Sequence, residues 1–531
     1  MPTSPRLADD AALRRTALVI LGLGFVARLA LAALLDPGLD EAYAIAVAVP
    51  AQLSWFDHPP MAFWWVGAMR TLGAPLFGDP APAVWLRLPF VLAFTGTAWL
   101  MFDLTRRLYG ARAGVWALGA LTLAPFFLVS AGSWLVPDGP LVLFLAATAR
   151  LLVEIVFFAP TRARRTALWL AAGVTLGLAG LSKYHAALFA VGAFVWLLAT
   201  RHRRLLAEPG PWLAALVAGA VVSPVLVWNA ENGWASFLFQ AGRGGGGRTN
   251  WAGFGRAILG QAAYLMPWTL VAAVIGAARA LRSDRDIAAP SGLLLALAVL
   301  PIGLFTAVPL LGGDSLPHWQ MPGWLFLMPL LGRGLAEAES LGDRLPRLAR
   351  RFAAATVVLL VIAASLFAAL RFTPPPRELV ERAKLGRFLE ESTTWRGLAD
   401  GLARRGLLAP DAAGRAPVVV SFRWLEAARL AEALGGRARV TVFDGDPRGF
   451  AFQLDPAELV GRDLVLVGRP ETLARGLGAV TPYFAAIEPQ PTLAVGAGEP
   501  PPFDLAVAVG RTLLRPYPLP YPKRDAGGGT R

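Results

Sequence analysis

Along the first 371 residues, apolar runs of roughly 18 to 25 residues alternate with short polar connections. A helix rises about 1.5 Å per residue, so each run can cross a hydrocarbon core about 30 Å thick. The pattern predicts about eleven spans, at 16–35, 84–105, 112–129, 139–158, 166–181, 185–200, 211–229, 257–281, 289–311, 319–336 and 351–371. The first follows Arg14 and Arg15 and has no small-residue cleavage site, so it reads as a signal anchor. Between the first two spans, the stretch 36–83 holds two further helices, at about 41–55 and 61–77. The second of these is apolar, but crossing there would invert every later connection. It is placed as a juxtamembrane helix with Trp64, Trp65 and Arg70 at headgroup level.

After Thr373-Pro374-Pro375-Pro376 the pattern changes to short β-branched runs at Val418–Phe422, Val440–Phe443, Leu464–Gly468 and Leu505–Val509, with a helix at Trp424–Leu434. Residues 372–531 therefore read as a small α/β domain, expected to be accessory or to dock an acceptor. The proline-rich tail 516–522 and the glycine-rich end 526–529 are expected to be disordered, and no internal repeat is visible. The fold class expected is a polytopic α-helical membrane protein, 1–371, carrying a C-terminal α/β domain.

Composition agrees: 56% of the 531 residues are hydrophobic and only 16% charged, against about 25% charged in soluble proteins. With no cysteine, disulfides, thiolate metal sites and cysteine nucleophiles are excluded. The formal net charge of +14 gains meaning from position. Of the 29 basic residues in 1–371, 20 lie in alternate connections such as Arg106-Arg107, Arg162 to Arg165 and Arg201 to Arg204. By the positive-inside rule these connections are cytoplasmic. The N-terminus is then cytoplasmic and the C-terminal domain outside, in the periplasm of a bacterial inner membrane. The basic excess records orientation among membrane lipids and argues against nucleic acid.

The outward connections hold few charges, and these are the candidates for chemistry because polar groups near lipid are costly. Asp40 and Glu41 begin a helix, where the alternative is a simple dipole-stabilised terminus. Asp138 opens another, between Pro137 and Pro140, where the alternative is a cap. Lys183 is one of three lysines and the only one in 1–371; its alternative is a snorkelling cation. Asp57, His58 and His318 are a candidate set for a divalent metal ion, the alternative being hydrogen-bonded histidines. Arg243 and Arg248 flank the run Gly244–Gly247, read either as an anion-binding lid or as a plain linker.

Asp40-Glu41-Ala42-Tyr43, Asp57-His58-Pro59-Pro60-Met61, Arg87-Leu88-Pro89, Pro137-Asp138-Gly139-Pro140, Leu181-Ser182-Lys183-Tyr184, Ser236–Gln240 with Arg243, and His318-Trp319-Gln320-Met321-Pro322 occur in this order. Together they resemble the GT-C glycosyltransferases, and within them the bacterial relatives of dolichyl-phosphate-mannose protein mannosyltransferases and of the lipid A aminoarabinose transferase. The likeness covers about 15–335 well. It implies transfer of a sugar from a polyprenyl-phosphate donor to a glycolipid, glycan or protein acceptor. It also implies Asp40 as the catalytic carboxylate with Glu41 beside it, Asp138 at the cavity wall and Lys183 on the donor phosphate. Asp57 matches a carboxylate of the aminoarabinose transferase that can hold a metal, while His58 stands where that enzyme has lysine. A lipid-linked sugar flippase and an inactive scaffold are the alternatives in function. Transporters, however, place polar sites near the bilayer midplane, and here they crowd one face.

Overall fold

The computed structural model describes residues 5–159, 161–244, 247–373, 375–498 and 501–521. The glycine-rich end 526–529, with Gly245, Gly246 and Pro374, lies outside them. Among the described residues seven helices are long and apolar enough to cross a membrane, and two bent pairs raise the number to nine, against the eleven expected. The chain opens with α1 (Pro5–Leu34), α2 (Leu39–Val47), α3 (Met61–Phe77), α4 (Ala83–Tyr109) and α5 (Ala111–Leu123). The run 185–200 is a short apolar helix, Ala186–Ala199, and the run 319–336 falls on Met321–Leu325 and Met328–Ser340.

Both bends fall at prolines. Ala124 is extended, at φ −69° and ψ 124°, as the residue before Pro125 is driven to be. The helix axis turns by 82° there, between Ala111–Leu123 and Phe126–Ser133. The second bend, 96°, separates Trp251–Leu265 from Pro267–Asp284, with Met266 at φ 69° ahead of Pro267. Pro267 has no N–H to continue the preceding ladder.

The bundle packs around Phe94, Met101, Leu118, Phe127, Leu145, Leu294 and Leu330, all buried. Where apolar side chains face lipid, burial gives little drive for helices to associate, and close backbone approach must supply it. Gly173, Gly177 and Gly180 provide that approach on helix Arg162–Ser182. A methyl group on them would lie 2.5 Å from the Ala214 carbonyl oxygen, 2.6 Å from Val221 and 2.6 Å from Val222 of helix Pro209–Glu231. Gly177→Leu is therefore expected to part these helices and lower the unfolding midpoint in detergent, whereas Gly219→Leu, where nothing lies within 4 Å, should not. Equal midpoints would show that the pair is not held by this stripe.

The C-terminal domain is a five-stranded mixed sheet, in the order β2-β1-β3-β5-β4. Its strands are β1 (Val418–Ser421), β2 (Arg439–Val442), β3 (Leu464–Gly468), β4 (Phe484–Val495) and β5 (Phe503–Leu513). β1 pairs in parallel with β2 and β3, while β5 runs antiparallel to β3 and β4. The sequence pattern did not show β4, which contains Pro489 and Pro491; an edge strand tolerates them because part of its backbone has no ladder to fill. The proline-rich tail also departs from expectation up to residue 521. Tyr517 stacks on Phe443 at 4.5 Å, and Tyr521 packs on Phe56 at 4.2 Å.

The sheet domain sits directly on α2. Ala427, Ala428, Val442 and Phe450 share one apolar cluster with Tyr43, Ile45, Phe63 and Val66. Arg429 donates to the Pro37 carbonyl at 2.8 Å, and Gln453 donates to the Val47 carbonyl at 3.0 Å. Arg70 donates to the Ile45 carbonyl and pairs with Asp79 at 2.7 Å, which fixes α3 to α2.

Candidate active site

The site forms where the first loop, several helix ends and the sheet domain meet. Gly38 precedes α2, and the third helical residue, Glu41, reaches back to accept from the Gly38 N–H at 2.7 Å. This satisfies one of the donors that a helix N-terminus leaves open. Glu41 also takes two hydrogen bonds from Arg87, at 2.8 and 2.6 Å, and one from the Leu135 N–H at 3.1 Å. Both Glu41 and Arg87 are fully buried. Successive helical residues point about 100° apart, so the adjacent Asp40 turns away from Arg87 and is exposed. Of the two carboxylates, Glu41 is committed to holding the loop on α4, and Asp40 is open to a substrate.

Asp138 is the first residue of helix Asp138–Val153, and Lys183 ends helix Arg162–Ser182 in an extended conformation. The two are buried and joined, Lys183 Nζ lying 2.9 and 3.1 Å from the two Asp138 carboxylate oxygens. Beside them a cavity of about 320 Å³ opens. Its lining combines the polar side chains of His58, Lys183, Gln240 and Arg243 with the apolar side chains of Leu188, Leu304, Phe305 and Val308. The Arg243 guanidinium lies 4.5 Å from the Trp319 ring centre. Arg248 is exposed and does not line this cavity, so of the two loop arginines only Arg243 joins the site.

The candidate metal set does not converge. Among the described residues no three His, Cys, Asp or Glu side chains are placed to hold a metal ion. Asp57 is instead tied to Tyr43, which donates its hydroxyl at 3.0 Å. Burial first, and then the charge of Lys183, push His318 down to about 4 and His58 well below the usual imidazole range. At neutral pH both rings offer hydrogen bonds without charge. The positive charge of the site rests on Lys183 and on guanidiniums.

Sequence reasoning missed one of those guanidiniums. Arg448, from the C-terminal domain, is the strongest cationic neighbour of both Asp40 and Asp57. The domain is held there by the Gly449 N–H, which donates to the Tyr43 hydroxyl at 2.9 Å, while Trp424 and Phe450 pack edge-on against that ring. The turn Asp446-Pro447-Arg448-Gly449 was the available signal.

Desolvation by the surrounding protein raises the Asp40 carboxyl above its ordinary value, Arg448 opposing this and Glu41 and Asp138 adding to it. Burial raises Asp57 to about 6 from 3.8, against the opposing effects of Arg448 and the Tyr43 hydrogen bond. A folded-state value above the unfolded one means a contribution to stability present below pH 4 and lost as pH rises through about 6. Asp57→Asn should remove a fall of about 3 kcal/mol between those limits. Unfolding midpoints of both proteins between pH 4 and 7 test this, and parallel curves would refute it.

Comparison with known proteins places this architecture. Residues 57–228 match the family model for dolichyl-phosphate-mannose-protein mannosyltransferase. The fold is that of ArnT from Cupriavidus metallidurans bound to undecaprenyl phosphate, with a TM-score of 0.63 and 16% identity, over 92% of this chain and 97% of that one. The apo state of the same protein gives 0.61 and 17%, over 93% and 97%. The chain is thus a multi-pass membrane protein of the GT-C fold. More particularly, residues 57–228 are similar to the protein mannosyltransferases, and the whole fold is shared with ArnT. The lipid A galacturonosyltransferase RgtD of Rhizobium johnstonii is 30% identical over 196 residues, which is 36% of this chain and 38% of that protein.

Proposed function

We propose that the protein transfers a sugar from a polyprenyl-phosphate donor to an acceptor hydroxyl or phosphate at the outer, periplasmic face of a bacterial inner membrane. The observation that carries this reading is the cavity beside Lys183, lined both by the polar side chains of His58, Lys183 and Arg243 and by the apolar side chains of Leu188, Leu304, Phe305 and Val308. A polyprenyl phosphate has the same division, an anionic head on an apolar chain. The matches to ArnT bound to undecaprenyl phosphate and to a lipid A galacturonosyltransferase support a lipid-linked donor and an envelope glycolipid acceptor.

In this reading the acceptor oxygen attacks the anomeric carbon and its proton passes to Asp40. The bond from that carbon to the phosphate oxygen breaks, and the electron pair leaves with the polyprenyl phosphate. Attack opposite the leaving group inverts the anomeric centre, as a single base does in inverting sugar hydrolysis. Phosphate leaves without protonation, so one carboxylate suffices; Arg243 and Lys183 neutralise its developing charge. Asp138 keeps Lys183 oriented at the cavity edge. Glu41 holds the α2 N-terminus, so that Asp40 faces the acceptor.

The test is an assay of purified protein in bilayers with radiolabelled polyprenyl-phosphate sugars over several sugars and acceptors. Labelled acceptor of inverted configuration is expected for at least one pairing. Label crossing the membrane without covalent transfer would overturn the reading in favour of a flippase.

A further inference from the structure

Arg448 begins a short turn, Arg448–Phe452, at φ 50°. Its guanidinium lies 4.3 Å from the Trp424 ring centre and 5.1 Å from that of Phe239. Arg243 approaches the same Phe239 ring at 5.5 Å. One phenyl ring therefore carries a guanidinium from each domain. Aromatic faces hold such planar cations by dispersion and by the ring quadrupole, which leaves the edge nitrogens free to donate.

Those nitrogens are largely unspent. Arg448 uses Nε on Asp446 at 3.3 Å. Among the described residues its two terminal nitrogens have no hydrogen-bond or ion-pair partner, and the Arg243 side chain has none at all. The buried guanidiniums of Arg87 and Arg429 are, by contrast, held on carboxylates, those of Glu41 and Glu432. The two like charges repel: burial first, and then Arg448, lower the Arg243 guanidinium while Asp57, Asp314 and Asp446 oppose this, and a bound anion bridging the free nitrogens would add to that relief. The neighbouring imidazoles of His58 and His318, uncharged at neutral pH, do not supply further charge to such an anion.

We propose that Arg448 and Arg243 form a two-guanidinium seat for a phosphate-class oxyanion, closed by the C-terminal domain through its turn Asp446-Pro447-Arg448-Gly449. The seat is built only when the domain is docked, because Gly449 must meet the Tyr43 hydroxyl, and a side chain on Gly449 would collide with it. The source of the anion is either the donor phosphate or an anionic group on the acceptor; only that assignment rests on the function proposed above.

The experiment uses full-length protein in nanodiscs, wild type against Arg448→Ala and Arg448→Lys, with unfolding midpoints to show that each variant is folded. Inorganic phosphate is titrated first, with binding followed by isothermal titration calorimetry. Wild type should respond, Arg448→Ala should bind about 10- to 100-fold more weakly, and Arg448→Lys should recover part of the loss. Undecaprenyl phosphate binding and the KM for donor and acceptor then assign the source. Weaker undecaprenyl phosphate binding with unchanged acceptor KM assigns the seat to the donor; the reverse assigns it to the acceptor. If wild type binds inorganic phosphate through Arg448 but not undecaprenyl phosphate, the seat stands and the donor reading fails. Identical phosphate titrations in wild type and Arg448→Ala, or no response in wild type, would overturn the seat.

Discussion

Asp40→Asn is expected to reduce transfer by roughly 10²–10⁴-fold, the range general-base catalysis supplies, while the protein stays folded and binds donor as before. Asn keeps the shape and the N-terminal helix position of Asp40 but cannot accept the acceptor proton. The expected companion is Glu41→Gln, whose loss should appear first as instability. Removing one partner of a buried, hydrogen-bonded ion pair costs about 3–5 kcal/mol, because the other charge is left unpaired, and Arg87 is fully buried against Glu41. Kinetics and unfolding midpoints measured on both variants separate the two neighbours. Near-normal turnover in Asp40→Asn would sink its assignment as the base. The raised Asp40 carboxyl adds a sign: activity should climb with pH as that group ionises, and Asp40→Asn should lack the climb.

The second large effect is expected at the buried pair of Lys183 and Asp138. Lys183→Met alone leaves an unpaired buried carboxylate and should lower stability by about 3–5 kcal/mol; Asp138→Leu alone should do the same by stranding the ammonium. The double variant should recover most of the stability, since replacing both partners with apolar groups of similar volume is often neutral. Transfer should not recover with it, because Lys183 lines the cavity beside Arg243. Recovery of both stability and turnover in the double variant would make the pair purely structural.

The sequence made the bundle legible because each apolar run must be long enough for a bilayer, a constraint that leaves a plain periodic record. It did not make the breaks legible, since a proline within an apolar run either kinks a helix or ends it. Pro125 and Pro267 mark sharp bends, whereas Pro89, Pro224 and Pro301 stay inside helices. The first-loop carboxylates were found together but not told apart, because which of two adjacent helical residues faces Arg87 depends on a partner 46 positions away. Lys183 was conspicuous through its rarity and does line the cavity. Arg248 resembled Arg243 in sequence and differs from it only in where the loop leads. Arg448 was invisible for the opposite reason: it sits among many arginines of the C-terminal domain, and only the docking of that domain on Tyr43 brings it to the site.

The last span, Leu345–Arg371, is mostly bare, only 6% of its apolar window being buried. A helix so placed takes its tilt from the surrounding lipid more than from the bundle, and hydrophobic mismatch is relieved by tilting. Its far end is clipped to the first loop, where Arg371 pairs with Asp36 at 3.1 Å, and the sheet domain follows directly. A change in the tilt of this span would therefore pull on the first loop at Asp36. The lipid in which the protein is reconstituted becomes an experimental variable on the same footing as salt or pH.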